Sequence, residues 1–410
     1  MIFPWINLTF KYLIQYVLQK PQQMLILSRL IRICLLLGLL LGPGFVEAQS
    51  DSIPKKKKLS FKDPEDGAFD LSQFLLEANG VLPVIIPITE PAVGYGGGAA
   101  ILYFHKRKKK YDTYVPPNVT GVAGLYTSNK TWGAGAFHSH IFGENRVRTI
   151  TAVFKPDVNY KYYGNNSSIL DGNPIGINLD SWVVLQKAEL RLGKSKFYAG
   201  ATYTFFNADI SFDTIPNQPI INAILRRLNV NSKISSIKPS ISYDSRNNAF
   251  TPTKGINAQF ALNYSAEWLG SSDNFSSLST DFFGYLPVTS RLRSSWRFQG
   301  SYLLGDAPFY AYPFINLRGV PAMRYQGDNT MVAETEWNYN IYRRWSLLGF
   351  FGGGKAFSEF KNFGSEDWAY TIGTGFRYKI ARQLGVDMGT DFAWGNGKDF
   401  AFYVVFGKSW

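Results

Sequence analysis

Cysteine is nearly missing from this chain. Its 410 residues hold one, Cys34. A chain so poor in thiols carries neither a disulfide framework nor a thiolate metal site. Long apolar runs are missing too. The longest, Ile33 to Leu41, falls short of the roughly 20 residues a membrane-crossing helix needs. Histidine is scarce, with three residues. His138-Ser139-His140 sets two imidazoles on one strand face, but no acid or thiolate lies near them in sequence, so we read a polar wall position and no metal site. No phosphate loop, nucleophile elbow or zinc spacing occurs, which excludes the common enzyme classes. The net charge of +13 does not point to nucleic acid. Its basic runs, Lys55 to Lys58 and the stretch after His105, fall in a tail and a turn with no aromatic stacking platform between them.

What the chain does have is aromatic residues, 16%, and 38 glycines. Its start reads as a targeting segment. From Met24 onward, Arg29 and Arg32 precede the apolar run, and Val46-Glu47-Ala48 has the form of a cleavage site. Residues 1–48 are therefore expected to be an N-terminal extension and signal peptide, cut after Ala48. Residues 49–66 are polar and lysine-rich and read as a flexible periplasmic tail. A short helix is expected from Asp70 to Ala78, capped by Asp70 and ended by Asn79-Gly80.

From residue 81 to 410 the hydrophobic pattern has period two. In Ile256–Trp268 one face is Ile256, Ala258, Phe260, Leu262, Tyr264, Ala266 and Trp268, and the other is mostly Asn, Gln, Ser and Glu. Met331–Ile341 and Trp368–Ile380 alternate in the same way. These runs exceed ten residues, whereas ordinary globular strands average about five or six. Tilted membrane strands need roughly nine to eleven. The alternative, a soluble antiparallel sandwich, explains neither the strand length nor the aromatics gathered at strand ends. The pattern predicts an all-β transmembrane antiparallel barrel with a wet lumen.

Sixteen strands are expected, near 81–90, 92–105, 118–128, 131–142, 147–160, 180–193, 196–210, 234–244, 255–269, 275–286, 291–304, 329–341, 344–357, 367–380, 383–394 and 398–410. Apart from 106–117 and 245–254, the connections on one side are then tight, and the long ones fall on the other, as periplasmic turns and external loops do. Pro83 and Pro87 interrupt the first strand, which leaves fourteen or fifteen as alternatives and suits an edge.

Three stretches carry a family resemblance. "YDSRNNAFTPTKG" at 243–255 resembles the Tyr-Asp-x-Arg-x-x-x-Phe-x-Pro-x-x-Gly turn of the bacterial surface-antigen superfamily, which includes the BamA and TamA assembly factors and the two-partner-secretion transporters. "LRGVPAMRYQGDNTMVAETEWNY" at 317–339 resembles its conserved Arg-Gly loop and the strand after it. The third is the ending, "GTGFRYKI", "LGVDMGTDF" and "VVFGKSW".

Tyr243, Asp244, Arg246, Phe250, Pro252 and Gly255 are the turn motif. Asp244 and Arg246, two apart on one side, can pair. The loop holding Arg318 and Gly319 also carries Phe309, Tyr310, Tyr312, Phe314 and Ile315, too apolar to hang in water. The resemblance implies an external loop folded into the lumen, with Arg318 locked on acids. Glu334, Glu336, Asp387 and Asp391 are the candidates. Glu336 fits the family position best. Gly352 stands where relatives often carry Asp, so Asp387 is the expected substitute. Phe406 and Trp410 resemble the terminal signal read by the barrel assembly machinery, of which this protein would be a client.

The resemblance implies work without a cofactor: assisting insertion or translocation of proteins at the outer membrane, with lipid and nascent outer-membrane proteins as partners. Such factors carry POTRA domains before the barrel, and residues 49–80 are too few for one. The alternative is a structural or binding barrel, or a partly plugged channel, without assembly activity.

Overall fold

In the computed structural model, residues 61–73, 80–90, 92–105, 115, 117–162, 175–213, 230–248, 251–408 and 410 are described. The signal peptide, most of the expected helix, the basic turn after His105 and Phe250 lie outside them.

Sixteen antiparallel strands follow one another around a single sheet, each bonded to its sequence neighbours. They are β1 (Val81–Ile88), β2 (Gly96–His105), β3 (Asn118–Thr127), β4 (Trp132–Phe142), β5 (Val147–Tyr162), β6 (Ile175–Arg191), β7 (Phe197–Phe212) and β8 (Val230–Asp244). The second half is β9 (Gly255–Ser265), β10 (Phe275–Pro287), β11 (Leu292–Gly305), β12 (Asn329–Tyr342), β13 (Trp345–Phe357), β14 (Ala369–Ala381), β15 (Val386–Gly395) and β16 (Asp399–Phe406). The count of sixteen stands. Most limits differ from expectation by a few residues, because alternation continues past the membrane or stops before it. The last strand is the exception. It ends at Phe406, where Gly407 takes φ +79° and turns the chain away from the wall.

Parity decides what each side chain meets. Val81, Ile85, Ile101, Tyr103, Phe260, Trp296, Phe351 and Ile372 point out and are exposed to the lipid side. Their neighbours in sequence point in. The inward face is not uniformly wet, contrary to expectation. On the external half, Phe154, Tyr160, Ile177, Leu179, Phe206 and Ile210 pack around Tyr310, Phe314 and Met323 of the loop between β11 and β12. That loop is folded inside the barrel. Its apolar residues convert the upper lumen into a core, since burial of such side chains is favourable at about 25 cal/mol per Å².

Wall height is uneven. β5 to β8 have 16, 17, 16 and 15 residues, and β1 and β16 have 8 each. At about 3.4 Å per residue and a tilt near 40°, the long strands rise about 40 Å and the two end strands about 21 Å, against an apolar band of about 25 Å.

A charge on the lipid face of a long strand should be costly. Phe351, midway along β13, is 59% exposed. Phe351→Arg is expected to lower stability by about 2–4 kcal/mol in denaturant titrations of the vesicle-inserted barrel. Lys361→Glu, on an external loop, should shift it by less than about 0.5 kcal/mol.

Candidate functional site

Four features make up the site: a buried charge cluster, an inward-turned C-terminus, a braced periplasmic floor and an unbonded seam.

The charge cluster is centred on Arg318. Its Nε donates to Glu334 Oε1 at 2.7 Å, and its Nη1 to Glu336 Oε2 at 3.0 Å and to Asp391 Oδ2 at 2.8 Å. The guanidinium also stacks 3.4 Å from the Phe350 ring centroid. The three acids have further cations. Arg297 donates to Glu334 at 2.5 Å, Lys408 to Glu336 at 2.7 Å, and Arg377 clamps Asp391 with two bonds of 2.6 and 3.1 Å. All three carboxylates are nearly sealed from solvent. Charges so buried persist only when every partner is present. Gly319 permits the approach. Its φ is +81°, and a Cβ there would come within 3.0 Å of the Ala393 backbone. Its N–H donates to the Tyr403 hydroxyl at 2.9 Å. Gly352 faces Glu334 across the β12–β13 ladder, and a Cβ there would crowd the Glu334 side chain at 2.9 Å.

The structure thus brings Arg318, Gly319, Glu334 and Glu336 together. Asp387 is not among them. It enters no ion pair among the described residues, and Asp391 takes the place expected for it. The two acids share a face, but four residues separate them, about 13 Å along the strand toward the periplasm. Arg297, Arg377, Lys408, Phe350 and Tyr403 were not anticipated in the cluster. The inward parity of Arg377 was visible in sequence, but not the strand it would face.

The terminal segment also departs from expectation. Trp410 does not extend the last strand. It is buried across the lumen, its ring 6.1 Å from Phe283 and 6.3 Å from Tyr285 on β10, and Tyr285 donates its hydroxyl to the Trp410 carbonyl. Phe406 stays in the wall, packed against the cluster of Leu82, Val84 and Leu102.

The periplasmic floor uses the turn motif. Arg246 donates twice to Asp244, at 3.0 and 3.2 Å, the pairing that their spacing allows, and Arg148 adds a third bond at 3.2 Å. Tyr243 meets the Phe197 ring. Gly255, at φ +109°, passes so close to the Ser245 carbonyl that no Cβ fits. The turn then reaches the connection between β14 and β15: Asn248 donates to the Leu384 carbonyl and Thr251 to that of Gly385. Pro252 lies buried beside Thr251 in this brace.

Residues 61–72 are docked on the same rim and are not a free tail. Arg344 is held by Asp63, Asp66 and Asp70 at 2.6–2.7 Å, and Arg382 by Asp63 and Glu65 at 2.6 Å. Asp70 also caps the expected helix start, accepting from the Ser72 N–H at 2.6 Å. The Arg382 hydrogen bonds, with that from the Glu65 N–H, hold the Asp63 carboxyl down at about 2.

The seam lies between β1 and β16, which share no hydrogen-bonded ladder. Gly80 accepts from Phe104, so even positions of β1 bond β2 and odd ones face the seam. Two of those odd positions are Pro83 and Pro87, which have no N–H. The seam edge of β1 therefore offers only the Val81 and Ile85 donors. Gly407 donates to Asp387, so Phe400, Phe402, Val404 and Phe406 of β16 turn their backbone groups to the seam. At the external end the inward loop touches both sides. Ala322 donates to Glu90, just after β1, and Arg324 to Asp399 at the start of β16.

The histidines lie elsewhere, in a row on the outer wall. Thr120 bridges His105 and His138, which meets His140. Among the described residues no group of three ligands could hold a metal.

Residues 133–315 match the Omp85 superfamily domain. A search of curated proteins gives no significant match. Solved structures are similar in fold. BamA from Haemophilus ducreyi lacking POTRA domains 1–3 is 13% identical, with TM-score 0.53, covering 85% of this chain and 80% of that one. CdiB from Acinetobacter baumannii is 10% identical, with TM-score 0.52 and coverage of 80% and 59%. CdiB from Escherichia coli is 11% identical, with TM-score 0.54 and coverage of 79% and 62%. The chain thus spans about three fifths of each CdiB chain.

Arg318→Met should leave three acids under-neutralised. It is expected to cost about 3–5 kcal/mol and to expose the inward loop to protease. Arg324→Met, at a partly exposed pair, should cost about 1 kcal/mol or less. The docked segment has its own signature. Asp63 titrates in the folded protein below its ordinary 3.8, so its contribution is full above that value and is lost as pH falls to about 2. A fluorophore at Lys62→Cys, in a Cys34→Ser background, should keep high anisotropy at pH 5 and lose it between about pH 4 and 2.

Proposed function

We propose that the chain is an outer-membrane barrel of the Omp85 superfamily, whose domain matches residues 133–315, and that it assists the insertion or translocation of other proteins there. It does so without enzymatic chemistry. The observation that carries this reading is the seam. Fifteen neighbouring strand pairs form ladders, and β1 and β16 do not.

An unpaired strand edge is a template for a further strand. Here the two edges are unequal. β1 lacks two of four donors, and β16 lacks none, so β16 is the complete half of the template. The short end strands add a second effect. A wall about 21 Å high beside a hydrocarbon layer of about 30 Å compresses the bilayer at the seam. Both effects favour release of a client sideways into lipid. The filled upper lumen and the braced floor favour that route over conduction through an open pore. As a β-barrel with a terminal aromatic, the protein would itself be a client of the barrel assembly machinery.

A disulfide between Leu82→Cys and Phe406→Cys tests the reading. The cross-linked barrel should still migrate as a folded species on an unheated gel. It should lose at least about ten-fold of the wild-type acceleration of client folding into vesicles, a difference of about 1.4 kcal/mol in barrier, and regain it on reduction. Unchanged client folding with the seam locked would instead support a structural or binding barrel.

A further inference from the structure

We propose that the acidic turn Asp63–Asp70 is a clasp that ties the first strand to the far side of the seam and limits how widely the seam opens. This deepens the reading above by adding a control on the opening, but its readout does not depend on any client.

The ion pairs of the clasp are with Arg344 and Arg382, on the C-terminal half of the barrel. Arg344 lies between β12 and β13, and Arg382 between β14 and β15. Around the ion pairs, backbone bonds fix the segment. Leu71 N–H donates to the Ile380 carbonyl, and Arg382 N–H to Asp70 Oδ2. Gln383 N–H donates to Ser72 Oγ, and the Tyr378 hydroxyl to the Phe69 carbonyl. The other end belongs to the N-terminal half. Gly80 bonds Phe104 of β2, and β1 starts at Val81. The chain therefore passes from one side of the seam to the other between Gln73 and Gly80.

Seven peptide steps span at most about 25 Å. From β15 to β1 is two strand spacings, about 10 Å. With the clasp shut, the periplasmic end of the seam can widen by about 15 Å. That is room for two or three added strands at about 4.8 Å each, but not for a broad sheet. Releasing the clasp removes this upper bound, because the acidic turn then no longer holds the segment to Arg344 and Arg382. The anchoring is strong in kind. The Arg344 side chain is 3% exposed and meets three carboxylates, so a lone departure of the acidic turn would strand a buried guanidinium. The lock on Arg318 and the contacts of Ala322 and Arg324 restrain the external end separately.

Spin labels at Ile85→Cys and Phe402→Cys, in a Cys34→Ser background and in lipid vesicles, report the seam width. Two variants are compared with the parent. One is Asp63→Asn with Asp66→Asn and Asp70→Asn. The other keeps every ion pair and inserts about ten Gly and Ser residues between Gln73 and Gly80, which lengthens the tether alone. Both should add a population displaced by more than about 15 Å, which the parent lacks. Heat-modifiable migration on gels verifies that each barrel is folded. If the insertion variant gives the parent's distribution, the clasp proposal is overturned, whatever the triple variant does. Loss of client folding by the Leu82–Phe406 disulfide remains a separate result.

Discussion

The ion cluster around Arg318 is the constraint that organises the barrel interior. A guanidinium out of water needs acids aimed at it, and three carboxylates brought together need more than one cation. The result draws on five parts of the chain: the inward loop, β11, β12, the pair β14 and β15, and the C-terminal segment through Lys408. Each part is positioned by the others. Arg318 fixes the tip of the loop, and the apolar residues of the loop fill the space beside the inward face of β5 to β7.

The seam is understood in the same terms. Its middle carries no ladder, and two prolines take donors from the β1 edge there. Its ends are held by side chains: the inward loop outside, through Glu90 and Asp399, and the acidic turn beneath the rim, through Arg344 and Arg382. A weak centre between two polar fastenings can part without the barrel unfolding, since neither fastening belongs to the ladder of the other fourteen strands.

Much of this was legible in the residues. Period-two alternation located all sixteen strands, because a one-residue slip would turn every inward side chain to lipid. The family resemblance sets Arg318 against Glu334, Glu336, Asp387 or Asp391, and a buried arginine must find such acids. The limits were equally physical. Choosing Asp387 over Asp391 requires the depth at which the loop tip comes to rest, which parity does not encode. Arg297, Arg377 and Lys408 join through strand neighbourhood, and alternation is silent on that. The acids of residues 63–70 sit beside a lysine-rich stretch and read as solvated, since their partners lie some 280 and 310 residues onward. Trp410 was placed on the wall because alternation runs through Phe406, and only Gly407 breaks it.

The buried position of Trp410 bears on the order of events in the life of the chain. Its site against Phe283 and Tyr285 is made by β10, and it exists only once the sheet has curled around the lumen. Until then the ring has no such site. Its burial is therefore a late event, one that records closure of the sheet and takes no part in starting it.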